Sequence, residues 1–422
     1  MGPEDLILVS IDDHVIEPPD LFERHLPEKW KAQAPRCIEG ENGIETWHFQ
    51  DVKSTSVGLN AVVTWPKEEW GLEPSTFAEM RPGAYDVHER IRDMNHNGIL
   101  SSMCFASMAG FNARFFNEAE DKTVSRVMLE AYNDWHIDDW CGAYPERFIP
   151  LGLMPVWDSE GMGKEVRRLA AKGCRAISMP EMPHMMGLPS YHDVEYWKPF
   201  FTAMCDEGSV LCLHIGQGFS AINGTPGAPV DNYIILATQV ATLAVQDLLW
   251  GPVLRGYPDL KVAWSEAGIG WIPFYLDRCD RHYKNQVWID QDFGDKLPSE
   301  VFREHSLACF ITDETALKVR HDIGMDIIAW ECDYPHSDAI FPGAPEQIFG
   351  EMSRSGCTEA EMHQITWGNT ARFFGIDPFA KIPKEQATVG ALRALSPDVD
   401  TTTTSKAEYR ERYEKQTAAK QS

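Results

Sequence analysis

The strongest constraint on the fold is an alternation of short apolar runs with longer amphipathic stretches along most of the chain. Short apolar runs of this kind are typical of strands that are buried on both faces of a parallel sheet. Eight runs predict strands: Ile7–Asp12, Ile99–Ala106, Phe148–Met154, Arg175–Met179, Val210–His214, Lys261–Ser265, Ser306–Thr312 and Asp326–Trp330.

The stretches between the runs have the apolar spacing of amphipathic helices. They include Asp86–Asn97, Val124–Tyr144, Gly161–Lys172, Tyr196–Glu207 and Thr238–Trp250. Strands that alternate with helices favour βαβ units, and eight of them predict an α/β chain that closes into a (β/α)₈ TIM barrel. We assign residues 1–375 to this barrel.

Two segments depart from the alternation. Residues 36–82 contain GIETWHFQDV, which alternates like a hairpin, and then many turn-forming residues. We interpret them as an insertion after strand one that forms a lid or a subunit contact. Residues 376–422 are polar, which predicts an extended C-terminal arm that packs on a neighbour in a homo- or hetero-oligomer. Before this arm, Asn369 of WGNTARFFG is expected to cap the last helix and pack it on the barrel.

The composition excludes several classes of partner. A net charge of −26 without a basic stretch argues against nucleic acid and anionic membranes. No apolar run approaches the roughly 18–20 residues that cross a bilayer, and no leader is recognisable, so we expect a cytoplasmic location. The ten Cys residues form no C-x-x-C pair, which excludes a zinc finger or a disulfide framework. A small molecule is the expected partner.

Polar residues that can bind metals or carry protons stand at the ends of four predicted strands. In a barrel of this kind, side chains just past the C-terminal strand ends point into a shared mouth. Strand one ends with Asp12 and His14, which are two apart and so lie on one side of an extended chain. The others are His214 on strand five, Glu266 on strand six, and Asp333 on strand eight with His336 just beyond.

The convergence of these residues predicts a metal site. Two imidazoles and two or three carboxylates would carry severe mutual repulsion without a cation. Mixed nitrogen and oxygen ligation suits Zn²⁺, Mn²⁺ or Fe²⁺, as one ion or two. Taken singly, each residue also has an ordinary explanation, such as a hydrogen-bonded His or a helix-capping Asp. For His336, a loop residue stacked on Tyr334 or Trp330 and a proton carrier are both open.

These residues resemble the amidohydrolase superfamily, in the branch of metal-dependent decarboxylases of aromatic and aminomuconate-type acids. The resemblance spans Leu6 to Gly375 and rests on SIDDHVIEPP, LHIG, YPDLKVAWSEAGIGWIP, CDYPHSD and WGNTARFFG. It implies a metal held by Asp12, His14, His214 and Asp333, with Asp333 also acting as general base. Glu266 or His336 would relay the proton.

The chain departs from the usual pattern of that superfamily at two places. Strand four ends AISMPEMP without the Lys that bridges two metals in binuclear hydrolases. Strand six presents Glu266 where a His is usual, which makes a second, carboxylate-bound metal more plausible. The EPP motif after strand one is also similar to that of dimetal oxygenases of the 2-aminoisobutyrate hydroxylase type.

Three hypotheses follow from the sequence. The first is a metal-dependent enzyme that hydrolyses or non-oxidatively decarboxylates a small carboxylate- or amide-bearing molecule. The second is an O₂-dependent hydroxylase with a dimetal Fe or Mn site, completed by Glu266 and by His336 or Glu17. The third is a partner subunit of a hetero-oligomeric enzyme, which uses the insertion and the arm for assembly.

Overall fold

The computed structural model describes the chain except residues 55, 72–73, 217–224, 226, 230–231, 233–234, 290 and 422. The chain forms two compact units. Unit one comprises Met1–Leu151, Cys332–Gln347 and Pro378–Ser422, and unit two comprises Gly152–Glu331 and Ile348–Asp377.

Unit one contains two small sheets. In the first, β1 (Leu8–Val15) pairs in parallel with β5 (Ile99–Ala106), and both strands are buried along their whole length. In the second, β2 (Arg36–Glu39), β3 (Glu45–Phe49) and β4 (Val52–Lys53) are antiparallel. The second sheet contains the hairpin that the alternation in residues 36–82 predicts.

Unit two is built on a six-stranded sheet in the order β11-β10-β9-β8-β7-β6. Its strands are β6 (Leu151–Leu153), β7 (Ala176–Met179), β8 (Val210–His214), β9 (Lys261–Ser265), β10 (Ser306–Phe310) and β11 (Ile328–Trp330). Each pair from β7 to β11 is parallel. The eight strands predicted from the apolar runs are therefore all present, with shorter ends than predicted for β6, β10 and β11.

Helices connect these strands. The longer ones are α1 (Val87–His96), α2 (Lys122–Trp135), α3 (Ser159–Ala171), α4 (Val194–Glu207), α5 (Ala237–Trp250), α6 (Ile272–Asn285), α7 (Pro298–His305), α8 (Ala344–Arg354), α9 (Asn369–Phe374) and α10 (Lys406–Gln421). Single-turn helices cover Leu21–His25, Glu28–Lys31, Arg114–Glu118, Val253–Gly256, Glu314–Lys318, Arg320–Ile323, Glu359–His363 and Val389–Arg393. Within the described residues, none of these helices has the length and apolarity that a bilayer span requires.

An Asp side chain begins each helix from α1 to α4. Asp86, Asp121, Asp158 and Asp193 precede the first turns and accept hydrogen bonds from backbone N–H groups that have no partner within the helix. A carboxylate at this position also interacts favourably with the positive end of the helix dipole. Local sequence thus places the start of each helix after its strand.

Asn369 differs from its predicted role as a helix cap. Residues 364–368 before it are already helical, so no free helix end remains for its side chain to cap. Its amide instead donates to the carbonyls of Met325, at 2.6 Å, and Ile328, at 2.8 Å. The side chain still fastens α9 to the last strand of the sheet, through carbonyls rather than through N–H groups.

The C-terminal arm is not extended as predicted, because its second half forms α10. Ser405 and Glu408 form a reciprocal capping box, in which Glu408 N donates to Ser405 Oγ and Ser405 N donates to the carboxylate. Tyr409 is buried against Val62 and Trp65 of the insertion. The arm therefore packs on the insertion of its own chain, and a contact with a neighbouring subunit stays a prediction.

We expect Gly98, which directly precedes β5, to allow the close packing of Val389 of the arm. Gly98 has φ of +70°, and a Cβ there would lie 2.6 Å from Val389 Cγ1. Gly173 also has a positive φ, of +86°, but a Cβ there would meet nothing within 4 Å. Gly173→Ala should cost about 1–2 kcal/mol of unfolding free energy for the backbone alone. Gly98→Ala should cost about 1–3 kcal/mol more, because Val389 must also move.

Urea unfolding of both variants beside the parent measures this difference. Equal losses in Gly98→Ala and Gly173→Ala would contradict the packing of Val389 on Gly98.

Candidate metal centre

The residues predicted to form the site are divided between the two units. Unit one holds Asp12, His14, Glu17, Asp333 and His336, and unit two holds His214 and Glu266. All but Asp12 lie within two residues of a strand end or in the segment after it; Asp12 lies inside β1, because the strand continues to Val15 rather than ending at Asp12 as predicted.

In unit one, backbone hydrogen bonds join the end of β1 to the segment that follows β11. Asp333 N donates to Asp12 O and His14 N donates to Tyr334 O, both at 2.7 Å. Upstream, Cys332 N donates to Ser10 Oγ at 2.9 Å. These bonds run the segment alongside β1 and bring Asp333 next to His14.

The side chains of His14, Asp333 and His336 form a compact buried cluster. His14 Nε2 lies 3.1 Å from Asp333 Oδ1 and 3.6 Å from Asp12 Oδ1. His336 Nδ1 lies 2.9 Å from Asp333 Oδ1, and its ring stacks on His14 with 3.8 Å between centroids. One ligand atom from each of His14, Asp333 and His336 falls within 4.8 Å of the others. His336 thus stacks, but on His14, and it also contacts Asp333.

The surroundings of Asp333 fix both its ionised form and its backbone conformation. Burial alone would raise its pKa, but the imidazoles of His336 and His14 outweigh burial and hold the pKa of Asp333 well below its usual value. Its φ is +61°, a left-handed conformation that L residues rarely adopt and that costs about 1–3 kcal/mol. Such strain persists only where the surroundings determine the conformation, as the backbone bonds on both sides of Asp333 do here.

Asp13 was not singled out in the sequence, yet it anchors this arrangement. Its carboxylate accepts hydrogen bonds from Tyr334 N, at 2.9 Å, and from the Ser102 hydroxyl. Burial raises the pKa of Asp13 to about 7, opposed by Arg90 and Ser102. Arg90 also donates to His14 O at 2.5 Å. Alternation along a strand could have separated Asp13 from Asp12, but no pattern in the sequence identified its partners.

In unit two, His214 and Glu266 lie side by side at the ends of β8 and β9. His214 pairs with Ser265 in the sheet register, and His214 Nε2 lies 3.3 Å from Glu266 Oε2. Its Nδ1 lies 2.5 Å from Ile215 O, a carbonyl that can only accept. Nδ1 therefore carries a hydrogen, and Nε2 is the ring nitrogen that faces the Glu266 carboxylate. A cation or a proton between Nε2 and the carboxylate is compatible with this geometry.

Glu331 is a second residue that the sequence did not single out. It directly follows β11, is 1% exposed, and accepts hydrogen bonds from Glu266 N, at 3.1 Å, and from the Cys309 thiol. Glu266 has φ of +54°, so Glu331 holds a strained residue in place, while the Glu266 side chain remains 28% exposed. The sequence offered one signal for Glu331, namely an acidic residue directly after the apolar run of the last predicted strand.

Glu17, considered for a second metal, already has several donors. Its carboxylate accepts from Ser107 N, at 3.0 Å, Met108 N, at 2.7 Å, and the Tyr132 hydroxyl, at 3.1 Å. Burial raises its pKa to about 7 against these hydrogen bonds. Its donors make it a structural anchor for the segment after β5.

The donor set of unit one fits a divalent cation. Asp12, His14 and Asp333 supply nitrogen and oxygen ligand types on adjacent backbone segments, and all three side chains are buried. His336 Nε2 is also buried, and no residue in the described part of the chain forms a hydrogen bond with it. A cation or a bound anion would complete such a cluster, whereas an apolar molecule would not.

Comparison with known proteins connects this geometry to a family. Residues 45–376 match the amidohydrolase family. The 2-amino-3-carboxymuconate-6-semialdehyde decarboxylase of Dictyostelium discoideum is 23% identical over 323 residues, which are 74% of this chain and 83% of that protein.

Two solved structures share the fold. An amidohydrolase from Mycobacterium avium subsp. paratuberculosis K-10 has a TM-score of 0.68 at 18% identity, with 87% of this chain and 99% of that chain covered. A 5-carboxyvanillate decarboxylase from Novosphingobium aromaticivorans, solved with bound manganese, has a TM-score of 0.62 at 15% identity, with 89% and 99% covered.

These likenesses confirm the predicted α/β fold of the TIM-barrel type and a metal-dependent hydrolase or decarboxylase. The family match covers most of the chain, from the insertion to the end of α9. This protein belongs to the amidohydrolase family.

Proposed function

We propose that this enzyme is a metal-dependent, non-oxidative decarboxylase of a small carboxylic acid of the aromatic or aminomuconate type. The observation that carries the proposal is the buried cluster of His14, Asp333 and His336. Both imidazoles contact the Asp333 carboxylate, so a proposed metal ligand, His14, and a proposed proton carrier, His336, lie against the same group. The relatives named as decarboxylases support the reaction type. Hydrolysis at the same centre is the neighbouring alternative within the family.

The proposed metal ligands are Asp12, His14, Asp333 and His214. The first three lie together in unit one. His214 is added because the superfamily resemblance implies a ligand at the end of this strand, and its Nδ1 contacts the Ile215 carbonyl within its own unit. A single ion fits the absence of a Lys on β7, whose sequence is AISM. Manganese, bound by the Novosphingobium enzyme, is the first metal to test, with zinc and iron as alternatives.

The reaction exchanges carbon dioxide for a proton. The bond between the substrate carbon and its carboxylate breaks, its electron pair stays on the carbon, and a proton then adds there. The cation supplies positive charge that orients the carboxylate and stabilises the developing negative charge. We assign delivery of the proton to His336, whose Nδ1 lies 2.9 Å from Asp333 Oδ1, and Asp333 would fix the orientation of the imidazole.

A dimetal O₂-dependent hydroxylase is the second candidate, and one observation favours it. Glu266 replaces the usual His on strand six and lies 3.3 Å from His214 Nε2, so unit two offers a carboxylate and an imidazole together. Two ions per chain that include iron, and O₂ consumption with substrate, would select this candidate over the decarboxylase.

We expect removal of a ligand to remove the metal. Loss of a residue that only hydrogen-bonds to a metal ligand typically lowers metal affinity about 10- to 100-fold. Asp333→Asn, His14→Ala and His214→Ala each remove a proposed ligand itself, so each should lower the affinity by more than that. Metal content after reconstitution and desalting, measured by elemental analysis, is the test. His321→Ala, at a histidine whose side chain is 67% exposed, is the matched control and should keep full content. Full content in Asp333→Asn would refute the proposed site.

We expect carbon dioxide release without O₂. Under anaerobic conditions the manganese-loaded enzyme should decarboxylate a member of a panel of hydroxybenzoates and aminomuconate-type acids. In D₂O, a single deuterium should enter at the vacated carbon. His336→Gln should lower kcat by about 10²- to 10⁴-fold, since it removes the proton carrier.

His192→Gln, at an exposed histidine 3.3 Å from Asp247, is the matched control for His336→Gln and should leave kcat unchanged. A strict requirement for O₂, or a hydroxylated product, would overturn decarboxylation.

A further inference from the structure

Tyr334, the residue after Asp333, connects the candidate site to the rest of unit one. Its backbone is fixed to β1 through His14 and Asp13. Its side chain is buried, and its hydroxyl donates to Asp93 Oδ2 of α1 at 2.6 Å. The guanidinium of Arg90 lies 4.4 Å from its ring centroid. The orientation of Tyr334 therefore depends on α1 as well as on β1.

Asp93 is in turn held by Arg81 of the insertion. Arg81 Nε donates to Asp93 Oδ2 at 2.7 Å, and Nη2 donates to Oδ1 at 2.6 Å, a two-bond pair between largely buried side chains. A Cβ at Gly83 would lie 2.3 Å from Asp93 Oδ2 and 2.6 Å from the Tyr334 hydroxyl. Only glycine at position 83 leaves room for this contact.

The third nitrogen of Arg81 reaches the C-terminal arm. Arg81 Nη1 donates to the carbonyl of Asp400 at 2.9 Å. The arm is anchored nearby by Tyr409, whose hydroxyl lies 2.6 Å from Thr64 Oγ1, and by Arg410, which bonds to the buried Glu79. One guanidinium therefore joins the arm to Asp93, and Asp93 joins it to Tyr334.

The insertion makes a second connection from the arm to the site. Thr404 N donates to Thr64 O at 2.9 Å, and the neighbouring Val63 N donates to Pro335 O at 3.1 Å. Asn60 Nδ2 donates to Ser337 Oγ at 2.9 Å. The insertion is thus bonded on one side to the arm and on the other to the residues that flank His336.

We propose that the C-terminal arm is a positioning element of the active site, acting on Asp333 through Arg81, Asp93 and Tyr334. Its effect on turnover rests on the function proposed above, but its effect on the backbone of residues 332–337 does not. Asp333 needs outside support because of its left-handed backbone. The β1 hydrogen bonds fix one side of Tyr334, and the bond to Asp93 fixes the other.

Hydrogen–deuterium exchange of the full-length chain without added metal tests the connection. Tyr334→Phe removes one hydroxyl and should speed exchange of the amides at 333, 334 and 336 about fivefold, the effect of one lost hydrogen bond. Tyr196→Phe removes a comparable bond, from its hydroxyl to Val156 O at 2.8 Å in unit two, and should leave these amides unchanged. Unchanged exchange in Tyr334→Phe would overturn the proposal.

The role of the arm is tested from its far end. Tyr409→Ala removes the buried anchor of α10 and should speed exchange both in residues 398–416 and at 333, 334 and 336. If the variant does not fold, Tyr409→Phe removes only the bond to Thr64 and should give a smaller change of the same sign. Faster exchange confined to the arm in either variant would show that the arm does not position the site.

The separate effects on kcat and KM give a second test, because a residue with a purely structural role is not expected to lower kcat alone. Tyr334→Phe should lower kcat by about 10- to 100-fold, as misplacement of a catalytic group does, and leave KM within about twofold. A proportionate change in KM with unaltered kcat would overturn the positioning role. The exchange experiment needs neither metal nor substrate, so it stands even where decarboxylation fails, and the two failures are distinguishable.

Discussion

Two backbone hydrogen bonds, from Asp333 N to Asp12 O and from His14 N to Tyr334 O, bring the candidate metal ligands of unit one together. They place the segment after the last strand beside the first strand, so residues from opposite ends of the barrel sequence share one cluster. A buried carboxylate alone would be unfavourable by several kcal/mol. Between the imidazoles of His14 and His336, Asp333 keeps its charge despite burial, which a metal site of this kind requires.

The two units support their strand-end acids in the same way. Asp333 and Glu266 both have left-handed backbones, and in each case a second acidic side chain accepts a nearby N–H. Asp13 accepts from Tyr334 N, and Glu331 accepts from Glu266 N. In each unit, therefore, one carboxylate belongs to the candidate site and another fixes the backbone beside it. Much of the acidity of the strand ends is structural.

The sequence predicted the strands because burial on both faces leaves unmistakable apolar runs, and it predicted the strand-end residues because parallel strands end at a common edge. It did not predict the left-handed conformation of Asp333, which depends on bonds to a distant strand. Nor could it pair Arg81 with Asp93, since both read as ordinary surface charges. The sequence SKAE carries the capping-box spacing that begins α10, but the polar threonine run before it is typical of an extended chain and not of a helix.

The acidic doublet of β1 has a consequence for comparing this chain with its relatives. Asp12 and Asp13 are chemically identical neighbours, yet one belongs with His14 and the other with Ser102 and the backbone of Tyr334. An alignment displaced by a single position would match the wrong aspartate and report a ligand where a relative has an anchor. A residue of this strand can therefore be compared with a relative's only when the side of the strand that it faces is also known.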